Sequence, residues 1–233
     1  AAVRRNQEEM KRPIKAVAMM SGGLDSTLAA KLIKLQGIDV QGVNFFTGFC
    51  VTEHRRRVVR SEKKKPARHE ALRAGADLSI PVEIVDVHQD YFPVVANPQY
   101  GRGAAFNPCI DCRLFMFKRA KDYMKEVGAE FVITGEVCGQ RPMTQFKNTL
   151  KLLAKESDLG DRLLRPLSAH VLQPTLPERM GWVDREKLMA INGRSRKEQI
   201  ALAEQLGVDD YPQPAGGCCF LTDHNYVGRF KDL

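Results

Sequence analysis

The run Ile14–Gly37, IKAVAMM-SGGLDS-TLAAKLIKLQG, decides the fold. Its first seven residues are a short apolar run of the kind that makes a buried parallel strand. Thr27–Gln36 then places Leu28, Ala29, Leu32, Ile33 and Leu35 at the spacing of a helix face. Ser21–Ser26 therefore joins a strand to a helix N-terminus. Backbone N–H groups there are unpaired and lie at the positive end of the helix dipole, and the glycine pair lets an anion reach the backbone. A phosphate or pyrophosphate is the expected guest. The loop is not a Walker loop, because the terminal Gly-Lys-Ser/Thr is missing.

The same alternation continues downstream. IDVQGVNFF supplies a second strand, ARHEALRAGADLS a helix and VEIVDV a third strand. LFMFKRAKDYMKEVG, following Arg113, reads as an amphipathic helix before the strand EFVITG. YFPVVANPQYGRGAAFNP is rich in Gly, Pro and Asn and reads as a loop. Strands alternating with helices predict an α/β fold, a Rossmann-like parallel sheet with helices on both faces. Ligands then gather at the carboxyl ends of the strands, where SGGLDS, NFF and TGE all fall. The expected organisation is a charged lead-in over 1–13, a nucleotide-binding domain over 14–170 and a small C-terminal appendage over 171–233. The appendage holds the helical pieces VDREKLMAI and SRKEQIALAEQLG and the segment PAGGCCFLTD.

With 233 residues and 43% hydrophobic content the chain can bury a substantial core. No stretch is apolar enough to span a membrane, and AAVRRNQEEMKRP lacks the apolar run of a signal peptide, so a cytoplasmic location is expected. The net charge of +8 favours a polyanionic partner, nucleic acid ahead of a membrane surface or an acidic protein. The basic run from Arg55 to Arg68 is either a phosphate-contacting arm or a solvated face, and the same choice stands for Arg113 and Lys118. Without an export signal, the six cysteines are better read as ligands, redox groups or sulfur carriers than as a disulfide scaffold. Cys109 and Cys112 form a C-x-x-C, and Cys218 and Cys219 follow a glycine pair. Cys50 and Cys138 are expected to pack as small hydrophobes or to sit free near the site. Asp111 is either a general acid or base or a residue that shapes its turn. His88, His170 and His224 have no metal-binding spacing.

SGGLDS after a strand resembles the pyrophosphate-loop (PP-loop) signature of the N-type ATP pyrophosphatases, which split ATP to AMP and pyrophosphate while adenylating a substrate. NPCIDC with the later TGE resembles the 2-thiouridine-forming branch on tRNA. TGEVCGQ with LLRPL resembles the 4-thiouridine synthetases. The resemblance covers roughly residues 14 to 170 and the GGC near the end. It implies an adenine nucleotide alpha hydrolase-like domain in which Ser21, Gly22, Gly23, Asp25 and Ser26 surround pyrophosphate. Asp25 would stand near Mg2+, Asn44 and Phe45 at the adenine, and Gly135 at the nucleotide. The sequence departs from the family where the 2-thiouridine enzymes commonly carry Asp and this chain has Cys109. Neither the tRNA-binding domain of the 4-thiouridine type nor a rhodanese domain is present in these residues.

The implied activity is that of an ATP-dependent tRNA sulfurtransferase. ATP converts a uridine carbonyl oxygen, a poor leaving group, into an adenylate, and a sulfur nucleophile then expels AMP. The donor would be sulfide or a persulfide derived from a cysteine desulfurase. Two delivery routes stay open. In one, a cysteine persulfide is attacked by a second cysteine, Cys112 and Cys218 being the pair. In the other, Cys109, Cys112 and Cys218 hold a [4Fe-4S] cluster whose remaining iron binds hydrosulfide. The cysteine count favours the cluster, since exchange would leave Cys109 surplus. Cys219 is an alternative third ligand, or the fourth of a zinc site. A PP-loop enzyme that adenylates or thiolates a small molecule is the rival activity, and a nucleotide-binding regulatory protein is the rival from another class.

Overall fold

A computed structural model describes residues 13–51, 69–212 and 218–231 of the chain. Residues 1–12 of the lead-in, the Arg55–Arg68 run and the glycines before Cys218 lie outside the described residues. Lys15–Met19 (β1), Asp39–Phe46 (β2), Val82–Asp86 (β3), Phe131–Ile133 (β4) and Leu163–Leu164 (β5) form one sheet. All neighbours pair in parallel, in the order β3-β2-β1-β4-β5.

Successive side chains of a strand point to opposite faces, and β1 uses both. Ala16, Ala18 and Met20 join a core with Leu28 and Ile33 of Leu24–Lys34 (α1) and Ala71 and Ala74 of Glu70–Leu78 (α2). Val17 faces the other way, with Val43 and Val132, onto Leu114, Phe117 and Ala120 of Cys109–Glu126 (α4) and Leu153 of Lys147–Glu156 (α5). Helices on both faces are what the alternating elements predicted. The described part of the C-terminal region shares the first core. Val183, Leu188 and Ile191 pack there, with Leu202 and Ala203 of Lys197–Leu206 (α7). Leu176–Arg179 (α6) and His224–Lys231 (α8) are further helices among the described residues.

From β1 the chain moves to β2 on one side, whereas β4 leads to β5 on the other. The strand order therefore reverses between β1 and β4, and the loops after these two strands stand side by side at that switch point, at the carboxyl ends of the strands. SGGLDS and TGE are those two loops.

Three elements differ from expectation. Part of the predicted loop YFPVVANPQYGRGAAFNP is helical, because His88–Ala96 (α3) buries Tyr91 and Val95 one turn apart and carries Pro93 inside it. α4 starts at Cys109 rather than after Cys112, so the C-x-x-C forms its first turn. Of VDREKLMAI only Arg185–Lys187 forms a short 3-10 turn.

Candidate active site

Gly22, at φ +74°, turns the chain out of β1, and a Cβ there would stand 2.3 Å from the Glu70 backbone, so only glycine fits. Gly23 caps α1 in an extended conformation and leaves the first-turn N–H groups without a side-chain cap. The two serines brace the loop. Ser26 Oγ donates to Gly23 O at 2.9 Å and lies 3.1 Å from Ser21 Oγ, while Thr27 Oγ1 donates to Gly23 O at 3.0 Å.

Asp25 stands in the first turn of α1. Its Oδ2 accepts from Gln140 Nε2 at 2.7 Å and lies 3.8 Å from Arg196 Nη2, at the start of α7. Gln140 Oε1 in turn accepts from Gln199 Nε2 at 2.7 Å, and Gln199 has no exposed surface. Asp25 Oδ1 is buried with no hydrogen-bond partner. A hard cation that keeps waters and phosphate oxygens as its other ligands asks for one such carboxylate oxygen, so Asp25 fits Mg2+.

Gly135 brings the second loop against the first. A Cβ on it would meet the Asp25 backbone carbon and the Ser26 nitrogen, each at 2.5 Å. The next residue, Glu136, is fully buried and reaches the other way. Its Oε2 pairs with Arg165 Nε at 2.9 Å, and its Oε1 lies 3.2 Å from Arg113 Nε. Burial works against the Arg113 charge, but Glu136 and the thiols of Cys112, Cys218 and Cys50 together outweigh it, and the guanidinium is held more firmly protonated.

Arg113 borders the thiols. Cys109, Cys112, Cys218 and Cys219 lie within electrostatic reach of one another, with Cys50 beside them. Burial raises the Cys109 thiol, opposed by Asn107 Nδ2, which donates to its Sγ at 2.9 Å. Burial pushes Cys112 up to about 11, against a hydrogen bond from the Tyr91 hydroxyl. It pushes Cys219 up to about 12, opposed by the Leu221 N–H. Cys218 is exposed.

The expected three-thiolate cluster is not supported. Cys112 turns into apolar packing beside Tyr91 and Phe115, Cys109 is tied to Asn107, and Cys218 faces solvent. Among the described residues no three Cys, His, Asp or Glu side chains are gathered to hold one metal ion.

Other expected residues fall as follows. Asn44 follows β1 closely, with Nδ2 donating to Met20 O at 2.7 Å and Oδ1 buried without a partner. Phe45 is in the core, 6% exposed, so at this point β2 offers a base its backbone rather than a ring. Asp111 accepts the Gln99 and Tyr100 N–H groups at 2.8 and 3.0 Å, and so shapes its loop. Cys138 is buried beside Asn192, and its N–H donates to Ser168 Oγ. Glu136, Arg165, Gln140, Gln199 and Tyr91 were not singled out in the sequence. The first three lie inside the quoted TGEVCGQ and LLRPL, but nothing in the sequence pointed to Gln199 or Tyr91.

A parallel sheet with a glycine loop and a lone carboxylate at its switch point defines a nucleotide-binding domain of the PP-loop class. The family model described as the tRNA methyl transferase HUP domain matches residues 14–164, and the chain belongs to that family. The resemblance read from SGGLDS, NPCIDC and TGEVCGQ is thereby borne out. Among curated proteins, the chain is 28% identical to a tRNA-specific 2-thiouridylase MnmA 2 of Clostridium botulinum, over 95% of this chain and 58% of that protein. It is 29% identical to a tRNA-specific 2-thiouridylase MnmA of Syntrophotalea carbinolica, over 90% of this chain and 55% of that one. The chain thus spans somewhat over half the length of these relatives. Among solved structures, a 4-thiouridine synthetase in complex with RNA and ATP aligns at TM-score 0.49 and 18% identity, over 83% of this chain and 51% of that one. Among the described residues no helix is long and apolar enough to cross a membrane.

Proposed function

We propose that this chain is the ATP-binding and thiol-bearing part of an ATP-dependent tRNA sulfurtransferase, which adenylates a uridine carbonyl and replaces its oxygen with sulfur. One observation carries the reading. Gly135 rests on the pyrophosphate loop, and its neighbour Glu136 pairs with Arg113 at the thiols, so consecutive residues join a nucleotide site to a sulfur site. A regulatory nucleotide binder has no use for that junction. The 2-thiouridylase relatives support tRNA as substrate, as does the net charge of +8.

In this reading the free N–H groups of α1 and Ser21, Gly22, Gly23 and Ser26 receive the pyrophosphate. Asp25 would hold Mg2+, which supplies charge neutralisation on the phosphates. Gln140 and Gln199 keep the carboxylate turned toward that place. Asn44, the β2 backbone at Phe45 and Gly135 border the nucleotide. Arg113 supplies positive charge beside Cys109 and Cys112, where a sulfur anion must be handled. Sulfur delivery is read as persulfide exchange among the thiols, with Cys112 and Cys218 the pair to which the motifs point. For that exchange the donor is a persulfide-carrying protein, whereas sulfide would serve only the cluster route.

The test incubates the protein with ATP, Mg2+, unmodified tRNA and a persulfide donor, and analyses the digested tRNA by mass spectrometry. ATP-dependent thiouridine is the expected product. AMP formation with no thionucleoside on any tRNA would overturn the tRNA assignment and favour a small-molecule substrate. Iron and acid-labile sulfide on anaerobically purified protein decide delivery. Stoichiometric cluster iron lost in Cys109→Ala would replace the exchange route.

A further inference from the structure

The loop between β4 and α5 turns one large apolar side chain into water. Phe146 is 52% exposed, although the preceding Thr144 and Gln145 are buried. The loop that presents the ring is firmly held. Gly139 N donates to Gln145 O at 2.7 Å, Arg141 N to Gln145 Oε1 at 3.0 Å and Gln145 N to Arg141 O at 3.2 Å. Gln140 in the same turn is the donor to Asp25, and Arg141 lies within electrostatic reach of Cys109. Phe146 therefore stands on a loop rooted at both the nucleotide carboxylate and the thiols. It also precedes α5, whose Leu150 and Leu153 are buried. Turned away from those two, Lys147, Lys151 and Lys155 are exposed at four-residue spacing, a stripe about 12 Å long. Among the described residues these three enter no ion pair, whereas Lys121 of the adjoining α4 pairs with Asp158 at 3.0 Å. Lys118 and Lys125 of α4 stand near the same carboxylate, so this face stays positive despite Asp158 and Glu156.

A lone exposed ring or a lone row of lysines asks for no partner. Together, at the edge where nucleotide loop and thiols meet, they match one ligand chemistry. Unpaired RNA offers bases that stack on an aromatic face and phosphates that bind cations. An acidic protein would satisfy the lysines but would not call for the ring. The reaction makes the same demand. A uridine whose carbonyl is to be adenylated must leave its stack, and the base beside it then loses a stacking partner. We propose that Phe146 with Lys147, Lys151 and Lys155 forms the surface on which the RNA substrate seats. Phe146 stacks on an unpaired base next to the target, and the three lysines hold phosphates of the adjoining backbone. This deepens the sulfurtransferase reading and rests on it for tRNA as the substrate.

The experiment follows fluorescence anisotropy of a labelled, unmodified tRNA against the full chain over a salt series, with the fold of each variant checked by circular dichroism. The triple variant Lys147→Ala, Lys151→Ala, Lys155→Ala should bind more weakly and flatten the slope of log affinity against log salt by about 2–3. Phe146→Ala should lose about 5-fold or more in affinity at an unchanged salt slope, as the loss of one stacked base predicts. Unchanged affinity in either variant would overturn the proposal, as would the absence of RNA binding by the wild-type chain. Intact RNA binding with impaired sulfur uptake from a persulfide-carrying protein would overturn it too and give the face to that donor. The two readings separate cleanly. If the wild type thiolates tRNA and both variants bind it normally, the surface is wrong and the sulfurtransferase reading stands. If both variants lose RNA as expected and the wild type thiolates none, the sulfurtransferase reading falls and the RNA surface stands.

Discussion

Arg165 donates from Nε to Glu136 Oε2 at 2.9 Å, an ion pair with both members almost wholly buried. Arg165 Nη2 also reaches Leu150 O at 3.3 Å, so β5, α5 and the loop after β4 meet on one guanidinium. Charges taken from water at this depth are tolerated only as a set. Glu136→Gln leaves Arg113 and Arg165 facing each other without an anion. The expected loss is about 3–5 kcal/mol of stability in urea unfolding. A loss under about 1 kcal/mol would mean that water reaches this carboxylate.

Gln199 is the deep end of a chain that orients Asp25. Gln199→Leu keeps the bulk and removes the donor to Gln140 Oε1, whose own amide then loses its anchor. The expected cost is about 1–3 kcal/mol, the usual result of leaving a buried polar group unpaired. A merely structural role would stop there. An orienting role adds a raised KM for ATP in pyrophosphate release. An unaltered KM would confine Gln199 to packing.

The nucleotide half of the site was legible because its chemistry is local. A strand, a glycine turn and a helix start lie within twenty residues, and each leaves its own periodicity. Glu136 and Arg165 stood inside quoted motifs, yet their pairing is a contact across 29 residues that no spacing announces. Gln199 and Tyr91 were illegible for the same reason, since a buried amide or phenol on a helix face looks like any other polar residue. The extent of α4 was misread because Pro108 and two cysteines look like loop. In the fold Pro108 serves as N-cap, and Asp111 holds the preceding turn by two backbone hydrogen bonds. The cluster expectation rested on counting cysteines, and a count carries no information on where each thiol points.

Gly135 has no room for a methyl group. In Gly135→Ala the Cβ meets backbone atoms of Asp25 and Ser26 at 2.5 Å, and neither can swing aside as a side chain would. The loop after β4 must lift off α1, at about 1–3 kcal/mol for overpacking. Because the displaced atoms form the first turn of α1, ATP binding should weaken as well, read by calorimetric titration. Full affinity for ATP in Gly135→Ala would separate this loop from the nucleotide.

Cys112 links burial to pH. Its thiol is raised from 9.0 to about 11, first by burial, with the Tyr91 hydroxyl pulling the other way by donating to the sulfur. A proton held more tightly in the folded than in the unfolded state stabilises the fold below the unfolded value. That contribution is lost as pH rises from about 9 through about 11. Stability should therefore decline across that window, and Cys112→Ala should remove the part of the decline that belongs to this thiol. Tyr91→Phe takes away a hydrogen bond that favours the thiolate, so Cys112 should titrate higher still and alkylate more slowly at any fixed pH below its midpoint. Alkylation of Cys112, followed by peptide mass spectrometry against pH, measures the shift. A downward shift in Tyr91→Phe would show that the phenol accepts from Cys112 rather than donating to it.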